Sequence, residues 1–332
     1  MPNFNKLNRT FKQITRNNKN FSSIAKKDYS LFQKFFEKEK QTTYGNSWTY
    51  ITQGMYGIGE SNLGYKYYDG ENLSAVCIYP KIENPKVNVF YWIRPMGKNV
   101  FKEIKKFSNK ILKEEEIPTS VTKIFKNEYN SLINAGFKSS KEFPWHSTAH
   151  AEDDTYPEII TDIQSTLINK KNRKSTRKAL KVFDKLKDQI QIKKITTQQD
   201  QKIAWKIVKE FFSQNIETLS SNLSNPYDYY NIIFNTAPKK ETLYLLQYNN
   251  FPAGIFDIYR MSDSTACTYM SLMLREHISN LDDFATIYTC KKLFKEDYQY
   301  LNVGGSETKG LHQFKLKLHT YKKQRMYWAV LF

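Results

Sequence analysis

The stretch Thr242-Leu-Tyr-Leu-Leu-Gln-Tyr248-Asn249-Asn250-Phe-Pro-Ala-Gly254-Ile-Phe-Asp257-Ile-Tyr-Arg260 decides the architecture. Thr242–Tyr248 and Gly254–Arg260 are rich in β-branched and aromatic residues, as strands are. The paired asparagines between them tolerate the left-handed backbone that a tight hairpin requires. Working outward, Ala266–Leu274 reads as a third strand. Leu281–Glu296 reads as a helix, with Leu281, Phe284, Ile287 and Tyr288 as its apolar positions. Tyr300–Val303 is a short strand, and a last helix covers Lys309–Lys317.

The first half runs through the same order. Leu73–Tyr79 and Val87–Ile93 are strands joined by a turn at Asn84–Pro85. Val100, Ile104, Phe107 and Ile111 fall on one helical face, Ser120–Phe125 is a strand, and Glu128–Ala135 is a helix closed by Gly136. The turn at Asp69–Gly70 precedes Asn249–Asn250 by 180 positions, and Arg94 precedes Arg275 by 181. A repeated βββαβα unit predicts an α/β (α+β) protein of two similar halves, each a mixed, mostly antiparallel sheet flanked by helices. The expected extents are a basic N-terminal extension over 1–27, a first domain over 28–165 and a second over 166–332.

With 332 residues, 40% hydrophobic and 15% aromatic, the chain suits two packed domains rather than disorder. Lys and Arg outnumber Asp and Glu by 51 to 33, a net charge of +18 that favours polyanionic partners: RNA, DNA or an anionic membrane surface. Bulk charge also follows from genome-wide composition, so local clustering carries the argument. No apolar run reaches the ~18 residues of a membrane span, and no apolar segment follows the basic N-terminus as in a secretory signal. Cys77, Cys267 and Cys290 are isolated, which suits a reducing compartment; the expectation is cytoplasmic.

Between the halves, Pro144, Trp145, Glu152–Asp154 and Pro157–Glu158 read as an ordered loop. After it, Lys170, Lys171, Arg173, Lys174, Arg177, Lys178 and Lys181 place seven cations in twelve residues without an acid. As a helix, this run puts Ala179, Leu180, Phe183 and Leu186 toward a core and leaves its cations to contact phosphates. The Gly304–Gly305–Ser306 turn, at a strand-to-helix junction, is an expected anion site through free backbone N–H groups. Asp257, in a central strand, needs a partner or a role, and orienting or deprotonating an amine is one. Glu307 fits the first turn of its helix by the dipole alone. Tyr227, Tyr229 and Tyr230 offer stacking surfaces. His146 and His150 near Glu152–Asp154 lack a helical context, so no metal site is expected. No GxSxG elbow, P-loop or GxGxxG occurs, which leaves hydrolase, NTPase and dehydrogenase readings without a start.

The segment Asn302-Val-Gly-Gly-Ser-Glu-Thr-Lys-Gly-Leu-His-Gln-Phe314-Lys315-Leu-Lys317 resembles the closing motif of tandem GNAT-fold aminoacyltransferases. These are the Fem-type peptidyltransferases and the cytoplasmic domain of lysyl-phosphatidylglycerol synthases. The basic stretch Asn172–Lys181 resembles the Arg/Lys-rich segment that opens their second unit. The resemblance implies two tandem GNAT-like domains with the active site in the C-terminal one. It implies Lys315 and Lys317 as catalytic cations; Asp257, from its strand position, is the third candidate catalytic residue. Asn302, Gly304, Gly305, Ser306 and the strand-end Arg275 would bind substrate, and Lys170, Arg173, Lys174, Arg177, Lys178 and Lys181 would bind RNA.

Acetyl-CoA users of this fold carry a glycine-containing pyrophosphate loop after the central strand. The matching stretch here, Arg275-Glu-His-Ile-Ser-Asn-Leu-Asp-Asp283, has no glycine for close backbone approach. The expectation is therefore aminoacyl transfer from aminoacyl-tRNA to an amine or hydroxyl acceptor (lipid, peptide or small molecule), without a bound cofactor. Two alternatives stand beside it: a CoA-dependent N-acyltransferase, with acyl-CoA as donor, and a non-catalytic RNA-binding protein. Partners expected are tRNA and, peripherally, an anionic membrane.

Overall fold

The computed structural model describes residues 4–39, 43–52, 64–80, 88–143, 156–168, 173–215, 229–234, 241–274, 278–306 and 308–332. The chain forms two compact units: Met1–Gln41 with Ile51–Pro157 and Arg325–Phe332, and Thr42–Tyr50 with Glu158–Gln324. Each holds a mixed, mostly antiparallel sheet flanked by helices.

In the first unit, β1 (Phe21–Ser23), β2 (Tyr65–Tyr68), β3 (Leu73–Pro80), β4 (Asn88–Met96), β5 (Thr119–Ile124), β6 (Lys138–Ser139) and β15 (Tyr327–Leu331) form one sheet, ordered β1-β2-β3-β4-β5-β15-β6. Its β4–β5 pairing is parallel, and α4 (Val100–Glu115) makes the crossover such a pair requires. Val100, Ile104, Phe107 and Ile111 are all buried, as their spacing predicts. A short α5 (Lys126–Asn134) follows β5, and Gly136 takes the left-handed backbone (φ +97°) after it.

Within the basic N-terminal stretch, residues 4–27 pack against the first sheet. They include α1 (Phe4–Thr15), whose Leu7 and Phe11 are buried, with Phe11 stacked on Tyr65 at 3.8 Å between ring centres. Leu7, Phe11 and Ile14 recur at helical spacing and give the basic helix an apolar face to pack. Next, α2 (Tyr29–Glu39) buries Phe32, Phe35 and Phe36. Arg94 in β4 is fully buried with φ +46°, held between Glu128 (3.5 Å) and Glu39 (3.7 Å) and over the Phe125 ring. Burying a guanidinium requires such partners.

The second sheet contains β7 (Glu158–Asp162), β8 (Ile190–Lys194), β9 (Glu241–Tyr248), β10 (Phe251–Arg260), β11 (Thr265–Cys267), β13 (Tyr300–Asn302) and β14 (Thr320–Gln324), ordered β14-β7-β13-β11-β10-β9-β8. A further strand, β12 (Ser271–Met273), pairs with β10. The hairpin turn carries Asn249 and Asn250 at φ +48° and +68°, as the sequence requires of a two-residue connection. Tyr244, Leu246, Phe256 and Ile258 face α7 (Lys174–Leu186) and α10 (Leu281–Phe294). On the other face, Leu243, Leu245 and Ile255 pack against α8 (Gln198–Gln214) and the short α9 (Tyr230–Phe234). This alternation is the two-residue period of a sheet covered on both sides. The remaining helices are α3 (Trp48–Thr52), α6 (Ile163–Ile168) and α11 (Lys309–Lys315).

Three further differences from the sequence reading have local causes. Pro157–Glu158 is not simply loop: Glu158 opens β7, because the β-branched Ile159, Ile160 and Thr161 fill a buried strand between β13 and β14. The expected strand Ala266–Leu274 is broken into β11 and β12, since a buried carboxylate takes the amides of Tyr269 and Met270 that a continuous ladder would use. The unit boundary falls at Pro157/Glu158 rather than 165/166, and Arg325–Phe332 belongs to the first unit because β15 pairs with β5 and β6.

Candidate functional site

The site forms where the second sheet parts. β11 pairs in parallel with β13, whereas β12 pairs with β10. After β13 the chain turns at Gly304, whose φ of +73° is a backbone that glycine adopts without strain. A Cβ added there would stand 3.7 Å from Lys315 Nζ and 3.8 Å from the Tyr44 ring. The turn therefore sits directly under a cation and an aromatic face.

Beneath it lies a buried polar layer. Asn302 Nδ2 donates to Glu158 Oε2 at 2.9 Å, and Asn302 Oδ1 accepts from Gly304 N at 2.8 Å. Glu158, only 1% exposed, also accepts from Thr43 Oγ1 (2.7 Å), Tyr44 N (3.1 Å) and Gln324 Nε2 (3.4 Å). One carboxylate thus ties the 43–44 segment to β7, β13 and β14, with the donors a buried acid needs. The segment continues into α3, where Trp48 N donates to Tyr259 Oη at 3.4 Å. Tyr44 and Tyr269, both half-buried, stack with ring centres 5.3 Å apart and planes 10° apart. Offset aromatic faces of this kind accept a further flat group.

Lys315 sits at the end of α11, which Thr308 Oγ1 caps by accepting from Leu311 N at 3.2 Å. Its Nζ donates to the Gly305 carbonyl, and an ammonium has three donors to share. Ser306 is fully buried, and its Oγ has no hydrogen-bond partner among the described residues. An orphan hydroxyl at such depth calls for an explanation, and a ligand group is one. His312, one turn before Lys315, is held below the usual histidine range by burial and by the charges of Lys323 and Lys315.

Asp257 has a different place from the one its sequence position implies. It is fully buried, and its Oδ1 accepts from Tyr269 N (2.8 Å) and Met270 N (2.7 Å). Burial, and next the Glu241 charge, push its carboxyl well above the usual range. The strand register explains the pairing: Asp257 opposes Leu243 and Tyr259 opposes Glu241, so the two acids are diagonal neighbours on one face. Two carboxyl groups this close disfavour each other's ionisation. Asp257 clamps the β11–β12 break through the Tyr269 and Met270 amides and is closed off from solvent.

Other expected residues divide. Lys315, Asn302, Gly304, Gly305 and Ser306 come together. The Gly304 amide, expected free, is taken by Asn302. Lys317 points away into an ion pair with Asp283 of α10 (2.8 Å) and lies over the Phe314 ring. Arg173, Lys174, Arg177, Lys178 and Lys181 are exposed, while Ala179 and Leu186 are buried. Phe183 stacks on Phe284. Arg275, Lys170, Lys171, Glu307, Tyr227, His146, His150 and Glu152–Asp154 lie outside the described residues. Among the described residues no group of three His, Cys, Asp or Glu side chains is placed to hold a metal, and no helix is long and apolar enough to cross a membrane. The sequence reading missed Glu158, Tyr44, Tyr269 and Glu241. Only the β-branched run after Glu158 signals a strand there; Tyr44 is far away in sequence, and nothing local marks it.

No family model and no curated protein matches the sequence. Solved structures do match the fold. A conserved protein of unknown function from Bacteroides thetaiotaomicron superposes with a TM-score of 0.68 at 12% identity, over 94% of this chain and 99% of that one. FemX gives 0.58 at 12% identity, over 93% and 96%. A tandem GNAT protein from the clavulanic acid biosynthesis pathway gives 0.50 at 9% identity, over 94% and 97%. The chain has the tandem GNAT fold, with both of its halves, over nearly its whole length.

Proposed function

We propose that this protein is an acyltransferase that moves an aminoacyl group from aminoacyl-tRNA to an amine or hydroxyl acceptor at the Gly304–Lys315 site. The observation that carries the reading is the Lys315 ammonium, held on the Gly305 carbonyl beside the orphan Ser306 hydroxyl and the Tyr44–Tyr269 stack. In such a transfer the acceptor attacks the ester carbonyl. The carbonyl oxygen gains negative charge, and the ribose oxygen leaves and takes up a proton. No covalent enzyme intermediate is needed. The protein contributes position and charge: Lys315 and Ser306 Oγ for the oxyanion, and the tyrosine faces for a terminal base or the ribose.

The choice of donor rests on the resemblance of the Asn302–Lys317 segment and on the electrostatics of α10. In this fold a CoA pyrophosphate would meet the N-terminus of that helix. Here its first turn carries Asp282 as well as the Lys317-paired Asp283, and the Asp282 carboxylate opposes an anion at that end. The glycine-free stretch before it adds the steric argument. The exposed cations of α7 supply phosphate contacts for RNA.

The test combines binding and chemistry. Filter binding with charged and uncharged tRNA is expected to favour the charged form, and titration calorimetry with CoA thioesters to give no heat of binding. Lys315→Met, which keeps the packed methylenes, is expected to slow single-turnover loss of the aminoacyl ester by roughly 10²–10³-fold, the loss typical for one oxyanion donor. Equal affinity for both tRNAs together with CoA binding would overturn the proposal.

A further inference from the structure

We infer that the first unit carries its own nucleic-acid-binding face, the outer side of α1 and the turn after it, which contacts the phosphate backbone of an RNA duplex. This rests on the RNA-dependent reading above but assigns RNA contact to a different unit. Residues 1–27 contain seven cations, Lys6, Arg9, Lys12, Arg16, Lys19, Lys26 and Lys27, and no acid. All seven are exposed. The first acid in the chain, Asp28, is buried and paired with Lys66 at 2.9 Å, so it neutralises none of them. Against a whole-chain ratio of 51 cations to 33 anions, such a block is a local field, not the average.

The fold makes this block rigid. Leu7 and Phe11 anchor α1 in the core, and Thr15 Oγ1 donates to the Phe11 carbonyl at 2.8 Å. Arg9, Lys12 and Arg16 then recur about 4.5–6 Å apart along the helix axis, at 1.5 Å per residue. A duplex presents one charge per roughly 1.7 Å, so a 12-residue helix lies beside many phosphates at once. The contact reads charge, not sequence.

A nucleic acid fits better than a membrane. An amphipathic helix that binds a bilayer inserts its apolar face, but Leu7 and Phe11 of α1 are already buried in the first unit's core, with Phe11 stacked on Tyr65 and Phe90. Among the residues of α1 and the following turn whose side chains are described, the exposed ones, Lys6, Arg9, Lys12, Gln13, Arg16, Asn17 and Lys19, are polar.

The test is a quadruple variant, Arg9→Gln, Lys12→Gln, Arg16→Gln and Lys19→Gln, of the full chain. Affinity for a tRNA transcript is measured from about 50 to 200 mM KCl, the range over which phosphate contacts are resolved. The expected result is a log–log salt slope shallower by roughly 3, with affinity at least about tenfold weaker at the low-salt end. Binding to vesicles of phosphatidylglycerol and phosphatidylcholine is measured in parallel. An unchanged slope and affinity would overturn the inference, as would lost vesicle binding with RNA binding intact. If a variant in α7 loses RNA binding while the quadruple variant keeps the parental slope, this inference alone fails. If the unaltered chain binds no RNA, both readings fall.

Discussion

Asp257 and Glu241 show how one residue acquires a role from its register. Both lie on the same face of neighbouring strands, and the Glu241 charge adds to burial in disfavouring the ionisation of Asp257. The pH consequence follows from linkage. An unfolded aspartate ionises near 3.9, whereas folding raises Asp257 above that value. Between the two values the folded state binds the extra proton, so stability falls as pH rises through this window. Asp257→Asn keeps an acceptor for the Tyr269 and Met270 amides and a permanent donor toward Glu241. The thermal midpoint of this variant is expected to depend less on pH between about 5 and 8 than that of the parent. Superimposable pH profiles would show that folding leaves the ionisation of Asp257 unchanged. Glu158 illustrates the same scale in another way: its identity as an acid is plain in sequence, but its four donors come from Thr43, Tyr44, Asn302 and Gln324, which only folding brings together.

Among the elements, α7 is the one whose reading in sequence and in structure agree most closely. Its apolar positions Ala179, Phe183 and Leu186 pack against α10, and its cations remain outside. Replacing Lys174, Arg177 and Lys181 by Gln is expected to lower the salt slope of tRNA binding by roughly 2–3, with the thermal midpoint nearly unchanged. A slope equal to the parental one would take this helix out of the RNA contact. By contrast α1 is not marked in the sequence, because eight of its twelve residues are polar and hide a short apolar stripe. The broken third strand was equally invisible, since Ala266–Leu274 has uniform strand character and the break comes from a side chain nine residues upstream.

For the whole molecule, the C-terminal strand is the point of interest. β15 completes the sheet of the first unit, although the residues just before it belong to the second. Deleting Arg325–Phe332 is therefore expected to expose the edge of β5 and to destabilise the first unit selectively. Hydrogen exchange read by mass spectrometry tests this: protection should fall in Thr119–Ile124 and Lys138–Ser139, not in β9 and β10. Loss confined to the second unit would contradict the pairing.

The sequence by itself determined much of the order of strands and helices, the two-fold repetition, the hairpin at Asn249–Asn250 and the basic face of α7. These depend on local periodicity and turn chemistry, which neighbouring residues specify. Which residues meet at the site was decided by tertiary structure. Tyr44 against Tyr269, Glu158 beneath Asn302, Asp257 against Glu241 and Lys317 against Asp283 are contacts between segments distant in the chain or on separate elements. Their energies arise from burial and shared hydrogen bonds, and neither exists until the sheet has closed around them.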